Sequence, residues 1–167
     1  MIFENGSKYV GEQLSIDNSF CIEMKIDNIN YVEEVLCGTF KIYNSDKTYI
    51  KLSTYFEALI IGNLHPFYTE ETGEDKEYWK RLPGYSDSYS FKYSNYIYLK
   101  MKELFILPDA SYNTSDASID GCYYCCYCKN LDCFIGHYLY KNENRNLSQE
   151  ILLERINERT KGVACFV

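Results

Sequence analysis

The chain has 167 residues, 46% of them hydrophobic and 17% aromatic, and it carries a formal net charge of −7. A chain of this length and composition can build one domain with a sizeable core, which excludes a disordered tail or a low-complexity linker. The acidic balance weighs against nucleic acid and anionic membrane surfaces as partners, because both recruit Lys and Arg, and no apolar run is long enough to span a bilayer.

Alternating apolar and polar residues predict β-strands in the first third of the chain. The alternation runs over residues 20–27 and again over residues 36–42, as expected for strands with one dry and one wet face. A longer strand is predicted from Lys51 to Ile61. One face of that strand would carry Leu52, Phe56, Ala58 and Ile60. The 18 tyrosines and 9 phenylalanines also favour a β-rich fold, since aromatic side chains suit half-buried pleated surfaces.

A short helix and three further strands are predicted in the middle of the chain. Residues 77–82 read as a helix that ends before Pro83, because proline cannot continue it. Strands are predicted over about Tyr96 to Leu107, Ser118 to Cys128 and Cys133 to Tyr140, with polar turns between them. Many strands with few helices predict a closed or nearly closed antiparallel barrel, since closure removes exposed sheet edges.

The last segment predicts a different structure. Asn146 or Ser148 could cap a helix that runs to about Arg159. The apolar stripe of this helix would be formed by Ile151, Leu152 and Ile156. We therefore divide the chain into a barrel domain over residues 1–145 and a C-terminal helix and tail over residues 146–167. This segment could dock on a partner, or the helix could cap the open end of the barrel.

One acidic residue interrupts an apolar face of the strand around Met101. Glu103 has the same parity as Ile97, Leu99, Met101, Phe105 and Leu107. A carboxylate on an inward face is costly unless charged or hydrogen-bonding partners meet it. Either a bulge turns Glu103 outward, or a buried Arg or Lys satisfies it, or the carboxylate waits inside a cavity for a cationic ligand.

A group of cysteines late in the chain raises the possibility of a metal site. Cys122 and Cys125 have the spacing of metal ligands, and His137 lies nearby. However, strand alternation places Cys126 on the same face as Cys122 and Cys125 on the other, so four ligands cannot easily converge from one strand. We expect no metal and no cofactor, and interpret the cysteines as small apolar side chains of a barrel wall.

Several segments, taken in order, resemble a known family. They are Gly6–Gln13, Leu36–Gly38, Leu52–Glu57, His65–Phe67, Tyr78–Pro83, Lys102–Asp109 and Ala117–Tyr124. Together they resemble the vacuolar import and degradation protein 24 family, the substrate-receptor subunit of the glucose-induced-degradation (GID/CTLH) E3 ubiquitin ligase. The resemblance implies an all-β fold, an eight-stranded antiparallel lipocalin-like barrel with short helical insertions. It also implies a non-catalytic receptor that binds the free N-terminus of proteins destined for degradation and docks on an armadillo-type ligase scaffold subunit.

The resemblance also implies which residues form the peptide site. Glu103 is the carboxylate that receives the N-terminal ammonium, and Tyr123 is the hydroxyl that assists it. The other implied lining residues are Gln13, Ile22, Leu52, Ile106, Ser118, Ile119 and Tyr138. Ile106 has the opposite parity to Glu103, so both can face one cavity only if the strand ends or bulges between them.

The chain departs from the family pattern at several positions of the implied pocket. Met101 stands in place of a tryptophan, Ile119 of a phenylalanine, Ser45 of a leucine and Ile16 of a lysine. The preferred first residue of the bound peptide, whether proline or another small or apolar residue, is therefore left open.

Two other functions remain open at this point: a lipocalin-like barrel for a small apolar or cationic ligand, and a metal-sensing or thiol-redox domain. The receptor interpretation is favoured because the strand alternation and the resemblance single out Glu103 independently. The first residues lack the basic segment and apolar core of a secretory signal, so we expect the protein in the cytosol or nucleus.

Overall fold

The computed structural model of the chain describes residues 2–14, 19–44, 50–68, 75–108, 121–140 and 149–156. In chain order its elements are β1 (Lys8–Leu14), β2 (Ser19–Asn30), β3 (Val35–Tyr43), β4 (Ile50–Ile61), α1 (Asp75–Lys80), β5 (Tyr96–Ile106), β6 (Gly121–Cys128), β7 (Cys133–Tyr140) and β8 (Gln149–Arg155). Every strand pairs antiparallel with the next, and β8 pairs with β1, so the eight strands form a closed barrel. The predicted all-β barrel is confirmed. Within these ranges, no helix is long and apolar enough to cross a membrane.

The barrel interior is filled by alternate side chains from all eight strands. On β5, for example, Leu99 and Met101 point inward and are buried, whereas Lys102 is exposed. On the neighbouring β6, Tyr123 and Cys125 belong to the same interior cluster. This alternation follows from the two-residue period of a strand, and it is the pattern from which the strands were predicted.

The described part of the connection between β4 and β5 packs on the outside of the barrel and carries α1. Trp79, in α1, is buried and lies edge-on to Tyr124 of β6, with ring centroids 5.0 Å apart. The Trp79 indole N–H donates to the Phe67 carbonyl oxygen at 2.7 Å. The predicted helix is confirmed, although it begins at Asp75 and ends at Lys80 rather than Leu82. A second apolar cluster therefore covers the outer face of β5 and β6.

One end of the barrel, which we call the closed end, is sealed by the N-terminal segment and by a turn. Phe3 is buried there, and its ring centroid lies 4.9 Å from that of Tyr127. The turn between β6 and β7 contributes Asp132, whose carboxylate forms an ion pair with Arg155 at 2.6 Å. The N-terminus, the β2–β3, β4–β5 and β6–β7 connections and the end of β8 all lie at this end.

The predicted C-terminal helix is wrong over residues 149–155, which form strand β8. β8 hydrogen-bonds to both β1 and β7, and it thereby satisfies the two edges that an open barrel would leave exposed. Ile151 and Leu153 point inward, while Leu152 is exposed on the outer face. The exposed Leu152 concealed the strand alternation and made the segment resemble a helical stripe. The proposed capping residues Asn146 and Ser148 lie outside the described residues.

Candidate functional site

Glu103 lies on the inner face of β5 and is only 4% exposed. Its register partner on β4 is Phe56, which is fully buried, and Met101 precedes it on the same inner face. Paired residues of an antiparallel sheet have their side chains on the same face. The carboxylate therefore enters the barrel interior, and the alternative in which a bulge turns it outward does not occur.

A β-bulge does occur in β5, directly after Glu103. Phe56 pairs with Glu103, but the preceding residue Tyr55 pairs with Phe105, so Leu104 is the extra residue. Past the bulge, Phe105 is half exposed and its ring stacks on the outward Tyr55 ring at 4.8 Å. The bulge reverses the alternation of the strand, as expected for one inserted residue.

This bulge determines where Ile106 lies relative to Glu103. Ile106 pairs with Thr54, a fully buried inward residue of β4. Glu103 and Ile106 consequently face the same interior in spite of their opposite parity in the sequence. The structure thus supplies the bulge that the sequence required if both residues were to share one cavity.

Thr54 is the hydrogen-bond partner of the Glu103 carboxylate, and its hydroxyl donates to Oε2. Within the described part of the chain, no Lys, Arg or His forms an ion pair with Glu103. Burial raises the pKa of Glu103 from its ordinary value of 4.5 to about 7, although the Thr54 hydrogen bond opposes this rise. The described residues that surround Glu103 therefore leave its ionised form poorly compensated.

Aromatic rings follow one another along the interior wall beside Glu103. The Phe56 ring lies 4.5 Å from that of Phe40, and the Phe40 ring lies 5.1 Å from that of Tyr123. Tyr123 in turn lies 4.5 Å from Tyr138. All four side chains are at least 98% buried. We call these four residues the aromatic row.

Glycines on both sides of Glu103 make room for rings of this row. Gly38 pairs with Phe56, and a Cβ there would lie 2.9 Å from the Phe56 ring. On β6, a Cβ at Gly121 would lie 2.6 Å from the Tyr138 ring, and the Tyr138 hydroxyl accepts the Gly121 N–H at 3.1 Å. Lys102 of β5 pairs with Cys122 of β6. Glu103 and Gly121 are the next residues on these antiparallel strands, so they lie opposite each other. The Phe56 ring thus extends from β4 over β3, and the Tyr138 ring extends from β7 over Gly121, the residue opposite Glu103 on β6.

The remaining predicted site residues are only partly placed. Ile22 is buried and Leu52 half-buried, and each pairs with the same residue of β3, Ile42. The backbone of Gln13 lies in β1 and pairs with Phe20 and Ile151. The predicted residues Ser118 and Ile119, as well as Ser45 and Ile16, lie outside the described residues.

Thr54 and the two phenylalanines of the aromatic row were missed as candidate site residues by the sequence analysis. Thr54 shares its parity with Leu52 and Phe56 in the predicted strand, so a polar residue at an inward position was visible in the sequence. Thr54 and Glu103 are both polar residues at predicted inward positions, and this shared feature could have suggested that the two side chains contact each other. The register that brings them together could not be read from either strand alone.

Glu103 lies near the end of the barrel opposite to the closed end, and we call this the Glu103 end. Strands β1, β3, β5 and β7 end there, and β2, β4, β6 and β8 begin there. Residues 15–18, 45–49, 109–120 and 141–148 of these connections are outside the described part of the chain.

The cysteines divide between the two faces of the barrel wall, as strand alternation predicts. Cys125 is in the interior cluster, whereas Cys126 is in the outer cluster and Cys122 packs against it. Burial raises the pKa of Cys126 to about 12, which disfavours the thiolate that binds metals. Among the described residues, no group of three or more His, Cys, Asp or Glu side chains could hold a metal ion.

The fold and the site together define a small closed β-barrel with a buried carboxylate near one end of its interior. The sequence matches the vacuolar import and degradation protein family over residues 2–156, and the chain belongs to this family.

Three relatives carry names that refer to glucose-induced degradation. The mouse protein named glucose-induced degradation protein 4 homolog is 30% identical over 154 residues, which cover 83% of this chain and 71% of the relative. GID complex substrate-recognition subunit 4 of Schizosaccharomyces pombe is 27% identical over 164 residues, which cover 83% of this chain and 84% of the relative. GID complex substrate-recognition subunit 10 of Saccharomyces cerevisiae is 26% identical over 182 residues, which cover 81% of this chain and 62% of the relative.

Proposed function

We propose that this chain is a non-catalytic substrate-recognition subunit of an E3 ubiquitin ligase of the GID type. It binds the free N-terminus of a protein destined for degradation, and Glu103 accepts the charged α-amine. The names of the relatives support the receptor role. The observation that carries the choice of ligand is the buried Glu103 carboxylate, which lacks an ion-pair partner among the described residues.

Ionising Glu103 inside the barrel is costly, because burial raises its pKa. A protein α-amine has a pKa of about 7.7–8.0, so it is mostly protonated at neutral pH. An entering ammonium would supply the positive charge that the described surroundings of Glu103 lack. A charge-assisted hydrogen bond of this kind contributes about 1.5–3 kcal/mol.

Apolar contacts add to the charge interaction. Ile22, Leu52 and Ile106 supply aliphatic surface near the same end of the barrel, and Tyr123 belongs to the aromatic row beside Glu103. Burying the first side chain of the peptide contributes about 1.5–3 kcal/mol. After the cost of ordering the peptide, we expect micromolar affinity, about −8 kcal/mol.

A calorimetric titration with two peptides tests this proposal. The peptides share one sequence that begins with proline, and one of them is acetylated at the N-terminus. We expect the free peptide to bind and the acetylated peptide not to bind, because an acetylated nitrogen cannot neutralise Glu103. Equal binding of both peptides would contradict the proposal.

A pair of variants locates the interaction. Glu103→Gln should weaken binding by about tenfold or more, because it removes the charge and keeps the side-chain shape. Glu57→Gln is the matched control: Glu57 is one residue from Phe56 on β4 but is exposed on the outer face. It should leave binding unchanged. Unchanged affinity in Glu103→Gln, or an equal loss in both variants, counts against a direct contact.

A small cationic ligand is the alternative occupant of the same site. The buried carboxylate and the aromatic row would also suit such a molecule. Native mass spectrometry of the purified chain separates the two functions. A co-purified small molecule together with no peptide binding would favour the alternative.

We further propose that the protein acts in the cytosol or nucleus and docks on an armadillo-type scaffold subunit through the C-terminal residues. β8 ends at Arg155, at the closed end, so a scaffold bound there would leave the Glu103 end open to substrates. Removing residues 159–167 should abolish co-purification with the scaffold and leave peptide affinity unchanged. Retained co-purification would refute the docking role.

A further inference from the structure

We infer that Cys128 and Cys133 form a reversible disulfide when the folded protein meets hydrogen peroxide, and that this bond stabilises the hairpin of β6 and β7. Both residues are free thiols in the structure. The inference concerns the closed end of the barrel, so it does not rest on the proposed binding of peptides at the Glu103 end.

The strand register places the two cysteines directly opposite each other. Cys128 is the last residue of β6, Cys133 is the first residue of β7, and the two are register partners. Opposite residues of antiparallel strands have Cα atoms about 4.5 or 5.5 Å apart, depending on the type of pair. Both separations fall within the range of about 4.4–6.8 Å that a disulfide bridges. The bond can therefore form without a change in strand pairing.

Both thiols lie on the outer face of the barrel wall. Cys128 is two residues from Cys126, which belongs to the outer cluster. Cys133 precedes Phe134, which belongs to the interior cluster. Since neighbouring residues of a strand alternate between faces and paired residues share one, the two thiols point to the same side.

Cys126 is the nearest competitor for Cys133, but the register disfavours it. Cys126 lies opposite Ile135, so it is only a diagonal neighbour of Cys133. Diagonal neighbours are about 7–8 Å apart, which exceeds the span of an unstrained disulfide. In the paired strands that the structure describes, no other cysteine lies opposite a cysteine.

A small oxidant suits the exposure of this pair. Cys128 is 5% exposed and Cys133 is 4% exposed, whereas Cys125 and Cys126 are fully buried. The thiolate of one cysteine attacks the peroxide and becomes a sulfenic acid, with release of water. The second thiol then displaces water from the sulfenic sulfur and completes the disulfide. In total, two thiols lose two hydrogen atoms and one peroxide molecule is reduced to two water molecules.

The reaction should be slow at neutral pH and faster at higher pH. Burial raises the pKa of the Cys133 thiol, and the neighbouring Cys128, Glu154 and Asp132 raise it further. The thiolate is the reactive form, so a rise in pH increases its fraction.

The bond would close a loop of residues 128–133 that forms part of the closed end. This loop contains Asp132, whose carboxylate pairs with Arg155 at 2.6 Å and accepts the Tyr127 hydroxyl at 2.5 Å. A closed loop restricts the unfolded chain, which favours the folded state. Urea unfolding should show a midpoint about 0.5–1 M higher for the oxidised chain, and a thiol reductant should reverse the shift. An unchanged midpoint in the cross-linked chain would overturn the stabilising role.

Peptide mapping of the peroxide-treated folded chain tests the pairing. The remaining thiols are alkylated in denaturant, and trypsin then cleaves after Lys129, between the two cysteines. The peptide of residues 130–141 has Cys133 as its single cysteine. We expect it to be joined to the peptide of residues 103–129, with fragment masses that place the bond at Cys128. Alkylation of both Cys128 and Cys133 after peroxide treatment, or a bond at another cysteine, would overturn the inference.

Two matched variants of β6 connect the bond to the register. Cys128→Ser removes the opposite thiol and should abolish the cross-link to Cys133. Cys126→Ser removes the diagonal thiol, which is on the same outer face, and should leave the cross-link intact. Loss of the cross-link in Cys126→Ser would overturn the assignment to Cys128, and so would its persistence in Cys128→Ser.

Discussion

Asp132 at the closed end and Glu103 near the opposite end are acidic side chains of one barrel, but their neighbours differ. The Asp132 carboxylate accepts the hydroxyls of Tyr9 at 2.9 Å and Tyr127 at 2.5 Å, and it pairs with Arg155 at 2.6 Å. Glu103 has the neutral Thr54 hydroxyl. Among the residues that the structure describes, Arg155 supplies a cation to the first carboxylate, and none supplies a cation to the second.

The pKa values of the two groups reflect this difference. Burial opposes the ionisation of Asp132, but the hydroxyls of Tyr127 and Tyr9 and the charge of Arg155 outweigh it and lower its pKa. Burial dominates at Glu103 and raises its pKa to about 7. Asp132 therefore has the character of a structural group, whereas Glu103 has the raised pKa that fits its proposed role as the acceptor of a charged amine.

The largest expected effect on stability comes from the closed end. Asp132→Asn should lower the free energy of unfolding by about 3 kcal/mol, because it leaves the Arg155 charge without its partner. Asn tolerates the left-handed backbone of this position, where φ is 52°, so the substitution tests the charge rather than the turn. Urea unfolding at neutral pH measures the change. A variant as stable as the parent chain would show that Asp132 is dispensable.

The opposite sign is expected for the same kind of substitution at Glu103. Compared with the unfolded chain, the folded chain holds the Glu103 proton more tightly, so its stability falls as the pH rises from 4.5 to about 7. Glu103→Gln removes that loss. At about pH 8 we expect the ligand-free variant to gain up to about 3 kcal/mol. Near pH 4.5, where the glutamate is protonated in the folded chain, the gain should disappear.

Urea unfolding of the parent chain and Glu103→Gln at the two pH values gives this difference. If Glu103→Gln destabilises the ligand-free chain at the higher pH, Glu103 serves the fold and the comparison between the two ends fails. If Glu103→Gln is more stable than the parent chain and also loses peptide binding, Glu103 is retained for binding although its burial lowers the stability of the fold.

Peptide affinity should depend on pH through both partners of the proposed ion pair, the Glu103 carboxylate and the α-amine of the peptide. When the pH falls below the Glu103 pKa of about 7, the carboxylate becomes protonated. One pH unit below that pKa, the dissociation constant should be about tenfold larger than for the fully ionised carboxylate. Above about pH 8 the α-amine loses its charge. The affinity should therefore be greatest between these values, as measured by calorimetric titration across the pH range. A flat profile between about pH 5 and pH 8 would contradict the pairing.

The smallest effect is expected for Thr54→Val, which removes the hydroxyl and keeps a branched side chain. The Thr54 hydrogen bond lowers the pKa of Glu103, so its loss should raise that pKa further. Peptide affinity at neutral pH should fall about fivefold, since a larger fraction of Glu103 is then protonated. Thr39→Val, on the outer face of β3, is the matched control. Equal effects in both variants would remove Thr54 from the site.

The sequence predicted the parts of this structure that depend on local alternation. The strand around Met101 could be assigned an inner face, and Glu103 could be recognised as the exception on it, because inward positions recur every second residue. The incompatibility of Glu103 and Ile106 was also visible, and it required the bulge that the structure contains.

Features that depend on register between strands could not be predicted. The Thr54–Glu103 hydrogen bond joins residues 49 positions apart, and it depends on the β4–β5 register, which pairs Phe56 with Glu103 and so places Thr54 beside it on the inner face. The failure at β8 has a similar cause: Leu152 is exposed on the outer wall, and pairing with β1 and β7 outweighed the apparent helical stripe.

The most direct test is to titrate the Glu103 carboxyl carbon by NMR in the presence and absence of a peptide with a free N-terminus. We expect a pKa of about 7 without peptide, and a fall of at least about one unit when the peptide is bound. The acetylated peptide should leave the pKa unchanged. An ordinary pKa of 4.5 in the ligand-free chain, or no response to the free peptide, would contradict it.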